Sequence, residues 1–201
     1  MANLTADYGF VPMYNLVGEI RLIECAALAA ASDLYVGDPV KLSGTGDSSG
    51  RPSITVAAAG DTSIFGVVDS ILPSGPDSLA KQYSNSADTV LVVPALPTTV
   101  FRVNASNTTG ASLNDIGLLF DHVAGTGDSL TGRSAYALDM GEDASAGATT
   151  ARSWRLLGFD RRTDNEFSTT VSTDTTNVDL LVVCVESTWN YGAASTVGEG
   201  V

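Results

Sequence analysis

The chain has 201 residues and a mass of 20.7 kDa, and 44% of its residues are hydrophobic, enough for one substantial core. Lys+Arg number 10 against 23 Asp+Glu, a formal net charge of −13, so the few cations cannot neutralise a phosphate backbone and free nucleic acid is excluded as a partner. Polarity comes mainly from 21 Ser, 21 Thr and 20 Gly, while the normal apolar content and the lack of a Gly period exclude disordered and collagen-like chains.

Taken in chain order, residues 1–17 mix aromatics and a proline (Tyr8, Phe10, Pro12, Tyr14) without a period and read as an N-terminal arm. The start lacks the cationic patch and apolar run of a signal peptide, so export by that route is not expected. The apolar stretch Leu16 to Ala31 is broken by Glu19, Arg21 and Glu24, and no membrane span is expected. From there short apolar segments alternate with turn clusters, the pattern of an all-β domain. Candidate strands are 19–25, 39–42, 54–58, 64–71, 89–94, 99–104, 118–123, 134–138, 152–160 and 178–186. Alternation is clearest in Val100-Phe101-Arg102-Val103-Asn104 and Ser153-Trp154-Arg155-Leu156-Leu157, as half-burial on a sheet requires. The continuous run from Val178 to Val185 suits a central strand covered on both faces.

The separators 43–50, 59–62, 73–77 and 125–128 are rich in Gly, Asp and Ser, which supply positive φ and side-chain turn caps. Helix is expected only in short pieces: one or two turns at Cys25 to Ala31, a single turn at Ser112-Leu113-Asn114-Asp115 with Ser112 as N-cap, and another at Pro76 to Ser86. The expected fold is all-β, a single β-barrel or β-sandwich of residues 18–188 (jelly-roll-like arrangements included), with extended N- and C-terminal arms. The C-terminal tail, 189–201, is Gly- and Ala-rich after Tyr191. Tyr8, Phe10, Pro12 and Tyr14 in one arm and Trp189 and Tyr191 in the other are the candidate partner contacts, because aromatic side chains anchor interfaces. The N-terminal arm is expected to dock on another subunit; the alternative is an intramolecular strand covering the barrel.

Motifs for chemistry do not assemble. Gly127-Asp128-Ser129-Leu130-Thr131-Gly132-Arg133-Ser134 nearly matches a phosphate-cradling loop, but Arg133 stands where lysine belongs and a strand-like segment follows, so it reads as a surface β-turn. Ser78-Leu79-Ala80-Lys81 has the spacing of a serine nucleophile and its lysine, without the companion motifs. His122 is the sole histidine, which leaves no triad and no multi-histidine metal site; it reads as a hydrogen-bonded structural or surface residue. Asp139-Met140-Gly141-Glu142-Asp143 lacks calcium-loop order and reads as a solvated loop. Asn3, Asn104 and Asn107 open chance matches to the glycosylation pattern. Cys25 and Cys184 read as buried thiols, bridged only if their strands are neighbours. No catalytic, cofactor-binding or metal-ligating residues are nominated, and no enzyme is expected.

Asn3-Leu4-Thr5-x-x-Tyr8-Gly9-Phe10-x-Pro12 is followed by Tyr35-Val36-Gly37-Asp38-Pro39-Val40-Lys41-Leu42 and by the segment from Ile54 to Val68. Asn114-Asp115-Ile116-Gly117 and Leu156-Leu157-Gly158-Phe159-Asp160-Arg161-Arg162-x-Asp164-Asn165-Glu166 then continue the series. In order and spacing these stretches resemble the capsid cement, or decoration, proteins of tailed bacteriophages. The chain departs from them in its tail after Glu186 and its Ser/Gly-rich insertion at 44–50. The resemblance implies a β-rich knob without catalytic residues, made in the host cytoplasm and placed on the outer surface of the capsid of the virion. Its partners would be the major capsid protein and further copies of itself, a trimer being favoured over a dimer. Two rivals stand beside it: a phage tail-tube or fibre protein, and a carbohydrate-binding β-sandwich using Trp154, Trp189 and Tyr191 as a sugar platform.

Overall fold

The computed structural model describes residues 7–28, 33–73, 82–85, 87–106, 110–144 and 152–189. Its strands are β1 (Val11–Asn15), β2 (Ile23–Ala27), β3 (Pro39–Gly46), β4 (Pro52–Val56), β5 (Gly66–Ile71) and β6 (Thr89–Pro94). They continue with β7 (Thr99–Asn104), β8 (Leu119–Val123), β9 (Ala137–Ala144), β10 (Trp154–Phe159) and β11 (Asp179–Cys184). Strands β2-β4-β3-β5-β6 close into a barrel, and β1-β7-β11-β10-β8-β9 form a six-stranded sheet. The all-β expectation holds, as a barrel with a second sheet laid against it. No α-helix occurs among the described residues; a single 3-10 turn, Leu113–Asp115, sits where Ser112 was expected to cap one. There the Ser112 amide and hydroxyl both donate to the Asp115 carboxylate, at 2.7 and 3.0 Å.

Two apolar clusters hold the molecule together. One fills the barrel around Cys25, Val40, Ile54, Val68, Val90 and Val92. The other joins the barrel's outer wall (Ile64, Val67, Val93) to the inner face of the sheet, with Phe101, Phe120, Trp154, Leu156, Leu180 and Val182. β11, third in the sheet order, is buried on both faces, which is why its sequence is a continuous apolar run rather than an alternating one. Cys25 lies in the barrel cluster and Cys184 in the other, so the two are free thiols and no bridge forms. Burial pushes the Cys25 thiol up to about 11 and also raises that of Cys184.

Each of the ten expected strands has a counterpart, and the differences have local causes. The N-terminal segment is not a separate arm: β1 pairs antiparallel with β7 (Val11 with Arg102, Pro12 with Phe101) and extends the sheet. The boundary expected at residue 17 therefore cuts off a strand of the domain itself. Cys25, Ala26 and Ala27 belong to β2 and not to a helical turn, held by pairing to β6 and β4. β3 runs on through Gly46, and the turn tightens at Asp47, whose carboxylate accepts from the Ser49 and Arg51 amides at 2.9 and 2.8 Å. The acidic stretch from Asp139 to Asp143 is not a loop: it lies in β9, where Met140 is buried. Of the turn expected at Pro76 to Ser86, only 82–85 fall among the described residues, and they are not helical; Ser78 to Lys81 lie outside them.

Candidate functional site

Three of the stretches singled out in sequence, around residues 8–12, 35–38 and 160–165, meet at one place. They border a cleft of about 540 Å³ at the junction of barrel and sheet. The crossing is made by glycine. Gly9 and Gly37 have φ of +76° and +98°, and a Cβ on Gly9 would stand 2.6 Å from the Gly37 carbonyl oxygen. The Phe10 amide donates to that same carbonyl at 2.9 Å, and the Gly9 amide donates to Tyr136 at 3.0 Å. Only bare backbone allows so close an approach, and it aims Tyr8 and Phe10 in different directions.

Phe10 turns inward. It is 1% exposed and stacks on Trp154, with ring centroids 4.2 Å apart. Tyr8 stays half-buried at the cleft wall, where its hydroxyl donates to Asp179 Oδ1 at 2.5 Å. Asp179 is the hub of the wall: Arg162 donates to its other oxygen, and Asn165 Oδ1 accepts from its amide at 2.8 Å. Arg162 also donates to Asp160 at 2.8 Å, and Arg102 lies 3.6 Å from Asp160 with its guanidinium 5.6 Å from the centre of the Tyr8 ring. Burial, followed by the hydrogen bond to Asp179, pushes the Tyr8 phenol far above the ordinary tyrosine range.

Two charges of the cleft stand outside this network. Arg133 is exposed and Asp69 half-buried, and among the described residues neither makes an ion pair. The Arg133 backbone is held by a bridge to Val36, whose amide donates to Gly132 and whose carbonyl accepts from Ser134, both at 2.9 Å. The β-turn expected here is present: Asp128 accepts from the Leu130 amide at 2.9 Å and the Thr131 hydroxyl at 2.8 Å. The strand β9, not a helix, follows it. Two buried atoms at the cleft also lack a hydrogen-bond partner, Arg102 Nε and Asn177 Oδ1.

Of the candidate partner contacts, Tyr8, Phe10 and Pro12 line the cleft, but Phe10 belongs to the chain's own core and is not available to a partner. The segment docks in cis. Tyr14 is 46% exposed at the sheet edge. Trp189 packs against Phe65 at 5.0 Å and donates to its carbonyl at 2.7 Å, while Tyr191 lies outside the described residues. The sugar platform does not form from Trp154 and Trp189, because Trp154 is fully buried and Trp189 is spent on Phe65. His122 is a buried structural residue: Trp154 Nε1 donates to its Nδ1 at 3.3 Å and its Nε2 faces the Ala57 carbonyl at 3.2 Å. Burial raises the neighbouring Asp121 carboxyl, yet hydrogen bonds from His122 and the Gly60 amide outweigh this and hold it below the usual range.

Sequence reasoning did not nominate Arg102, Arg162 or Asp179, and met Arg133 only in the near-match to a phosphate loop that it read as a turn. The one available signal was Arg162 within Asp160-Arg161-Arg162, three charged residues in succession in a chain otherwise poor in charge. Comparison of the chain with protein-family models, with curated proteins and with solved structures gives no match.

Proposed function

We propose that the chain is a structural protein of a tailed-bacteriophage virion, an exterior cement protein that binds junctions of the major capsid protein and stabilises the assembled shell. The observation that carries this reading is the edge of the six-stranded sheet. β1 is paired on one side only, and Met13, Tyr14, Leu16 and Val17 stand 39, 46, 62 and 78% exposed along it and just beyond. From Tyr8 to Gly18 there is no charged residue, although the whole chain carries −13. Such a strip is where a protein surface can approach without meeting like charge, and contiguous exposed apolar residues mark interaction sites. Pro12 withholds one backbone donor from the strand, a feature that limits open-ended strand addition and favours a discrete oligomer over a stacked tube. The favoured occupant of the strip is a neighbouring copy in a trimer.

A cement protein binds the assembled shell and not its free subunits, so it raises shell stability by mass action. The test is to add the purified chain to mature shells of the phage that encodes it, after stripping their exterior proteins. Saturable co-sedimentation with a raised shell melting temperature is expected. Failure to bind the shells overturns the reading, and uptake into tail tubes in place of shells would support the rival.

A further inference from the structure

We propose that residues 8–16, docked on their own domain in the single chain, are exchanged between copies in the oligomer, each β1 completing a neighbour's sheet. This rests on the reading that a neighbouring copy occupies the sheet edge, and it says which part of that copy does so. The hinge carries the argument. β1 leads into a two-residue loop, Leu16-Val17, closed by a bridge between Asn15 and Gly18. Two-residue hairpin loops that match the twist of their strands need positive φ at the central residues, which Asn and Gly supply. Leu16 and Val17 do not have it, since among the described residues Asn177 is the one non-glycine residue with positive φ. Val17 is also β-branched and favours extended backbone. Besides the bridge, the Val17 amide donating to Asn15 Oδ1 at 3.0 Å fastens the loop. Residues 19–22 add no pairing, and the chain is anchored again at Ile20, which packs against the core of the sheet.

Everything before the hinge travels unchanged. The Phe10 stack on Trp154, the Tyr8 bond to Asp179, the register of β1 on β7 and the Leu16 amide donating to Thr98 are the same contacts within one chain or between two. Exchange gives up the loop bridge and one side-chain bond. In return it takes Leu16 and Val17, 62 and 78% exposed, out of water where the hinges of two copies run side by side. Only a second copy offers what a displaced β1 fits, a β7 edge in register and a seat for Phe10 against Trp154. A copy that has lost its β1 exposes both, so each departure is met by an arrival and the exchange closes into a ring. The uncharged stretch from Tyr8 to Gly18 lets two molecules of net charge −13 approach. Adding a strand outside β1 is the weaker route, because Pro12 has no N–H and the outward backbone of Asn15 is taken by Gly18.

The experiment uses the full chain. Asn15 and Thr99 are register partners, and the bond from the Leu16 amide to Thr98 makes them a non-hydrogen-bonded pair, whose side chains lie close. A disulfide fits such a pair. With Asn15→Cys and Thr99→Cys oxidised in the oligomer, covalent multimers are expected on a non-reducing denaturing gel, and either substitution alone is expected to run as a monomer. A second variant inserts Gly-Asn-Gly between Val17 and Gly18, which relieves the loop and keeps both exposed side chains. Lengthening a short hinge favours the closed form, so the dissociation constant of the oligomer is expected to rise about tenfold or more in sedimentation equilibrium. The cysteine pair placed in that variant is expected to bridge within one chain. A monomeric, internally bridged product from an oligomer without the insertion overturns the exchange and leaves the neighbouring copy at the sheet edge. So does an insertion variant that assembles as tightly as the wild type. A wild type that sediments as a monomer removes the neighbouring copy and the exchange together.

Discussion

Phe10 and Trp154, separated by 144 positions in sequence, stack with ring centroids 4.2 Å apart and an interplanar angle of 23°. The contact ties the N-terminal segment to the centre of the sheet, since Trp154 opens β10 and is fully buried. Phe10→Ala removes most of a buried ring and leaves a cavity between Trp154 and His122, an expected loss of about 3–5 kcal/mol in urea unfolding. Deleting residues 2–14 is expected to destabilise the isolated domain at least as much. A truncated chain with unchanged unfolding would show that the segment does not belong to the core.

The hydrogen bond from Tyr8 to Asp179 predicts an alkaline signature. The Tyr8 phenol is raised by burial first and by Asp179 second, and burial also pushes Tyr136 up to about 12. In the unfolded chain both ionise near pH 10, so the folded state holds protons that the unfolded state releases, and stability falls as pH rises above about 10. Tyr8→Phe is expected to cost about 1–2 kcal/mol at neutral pH through the lost hydrogen bond and to flatten that alkaline decline. Denaturant melts at pH 8 and pH 11 measure both effects.

Asp38 predicts a slope of the same sign at lower pH. It is 2% exposed, and burial pushes its carboxyl up to about 6, against the lowering effect of hydrogen bonds from the Ser134 hydroxyl and the Tyr35 amide. A raised acid is protonated more readily when folded, so its contribution improves as pH falls from about 6 towards the unfolded value near 4. The gain is on the order of 2–3 kcal/mol and is absent from Asp38→Asn. The difference between wild type and Asp38→Asn stability across pH 4–7 isolates it from other carboxylates. A constant difference would refute the shift.

Thiol reactivity tests the packing of the two cores. Cys25 and Cys184 are both fully buried and their thiols are raised, so little thiolate exists at pH 8. Both are expected to react with an aromatic disulfide reagent only at the rate of unfolding, and to react fully in denaturant. A rapid phase in the native protein would place one of them near the surface.

The strip at the sheet edge predicts a separation of assembly from folding. Leu16→Lys and Val17→Lys alter side chains that are 62 and 78% exposed, and each is expected to change domain stability by less than about 0.5 kcal/mol. In sedimentation velocity the wild type is expected to run as an oligomer and the chain carrying both substitutions as a monomer. An unchanged sedimentation coefficient would place the interface elsewhere.

Period and turn chemistry alone determined the class and most of the strands. The apolar runs that became β6 and β7 end where Pro94 and Asn104 end them, and the clusters around Asp47 to Gly50 and Ala59 to Asp61 became turns, because burial on a sheet and positive φ are local demands that a local pattern can meet. The sequence likewise carried Ser112 as a cap and His122 as a structural residue, both answers to nearby needs. The partition into barrel and sheet was decided elsewhere: β6 and β7 follow one another in the chain, yet one closes the barrel and the other joins β1 and β11. The fate of residues 8–15 was equally nonlocal. Their aromatics have no period because a sheet edge, a glycine crossing and the Trp154 ring each take one residue for a different reason. The cleft follows the same logic. Arg102, Arg162 and Asp179 are ordinary residues of three separate segments, and only the tertiary fold brings them together around Tyr8, with Arg133 on the same cleft from a fourth.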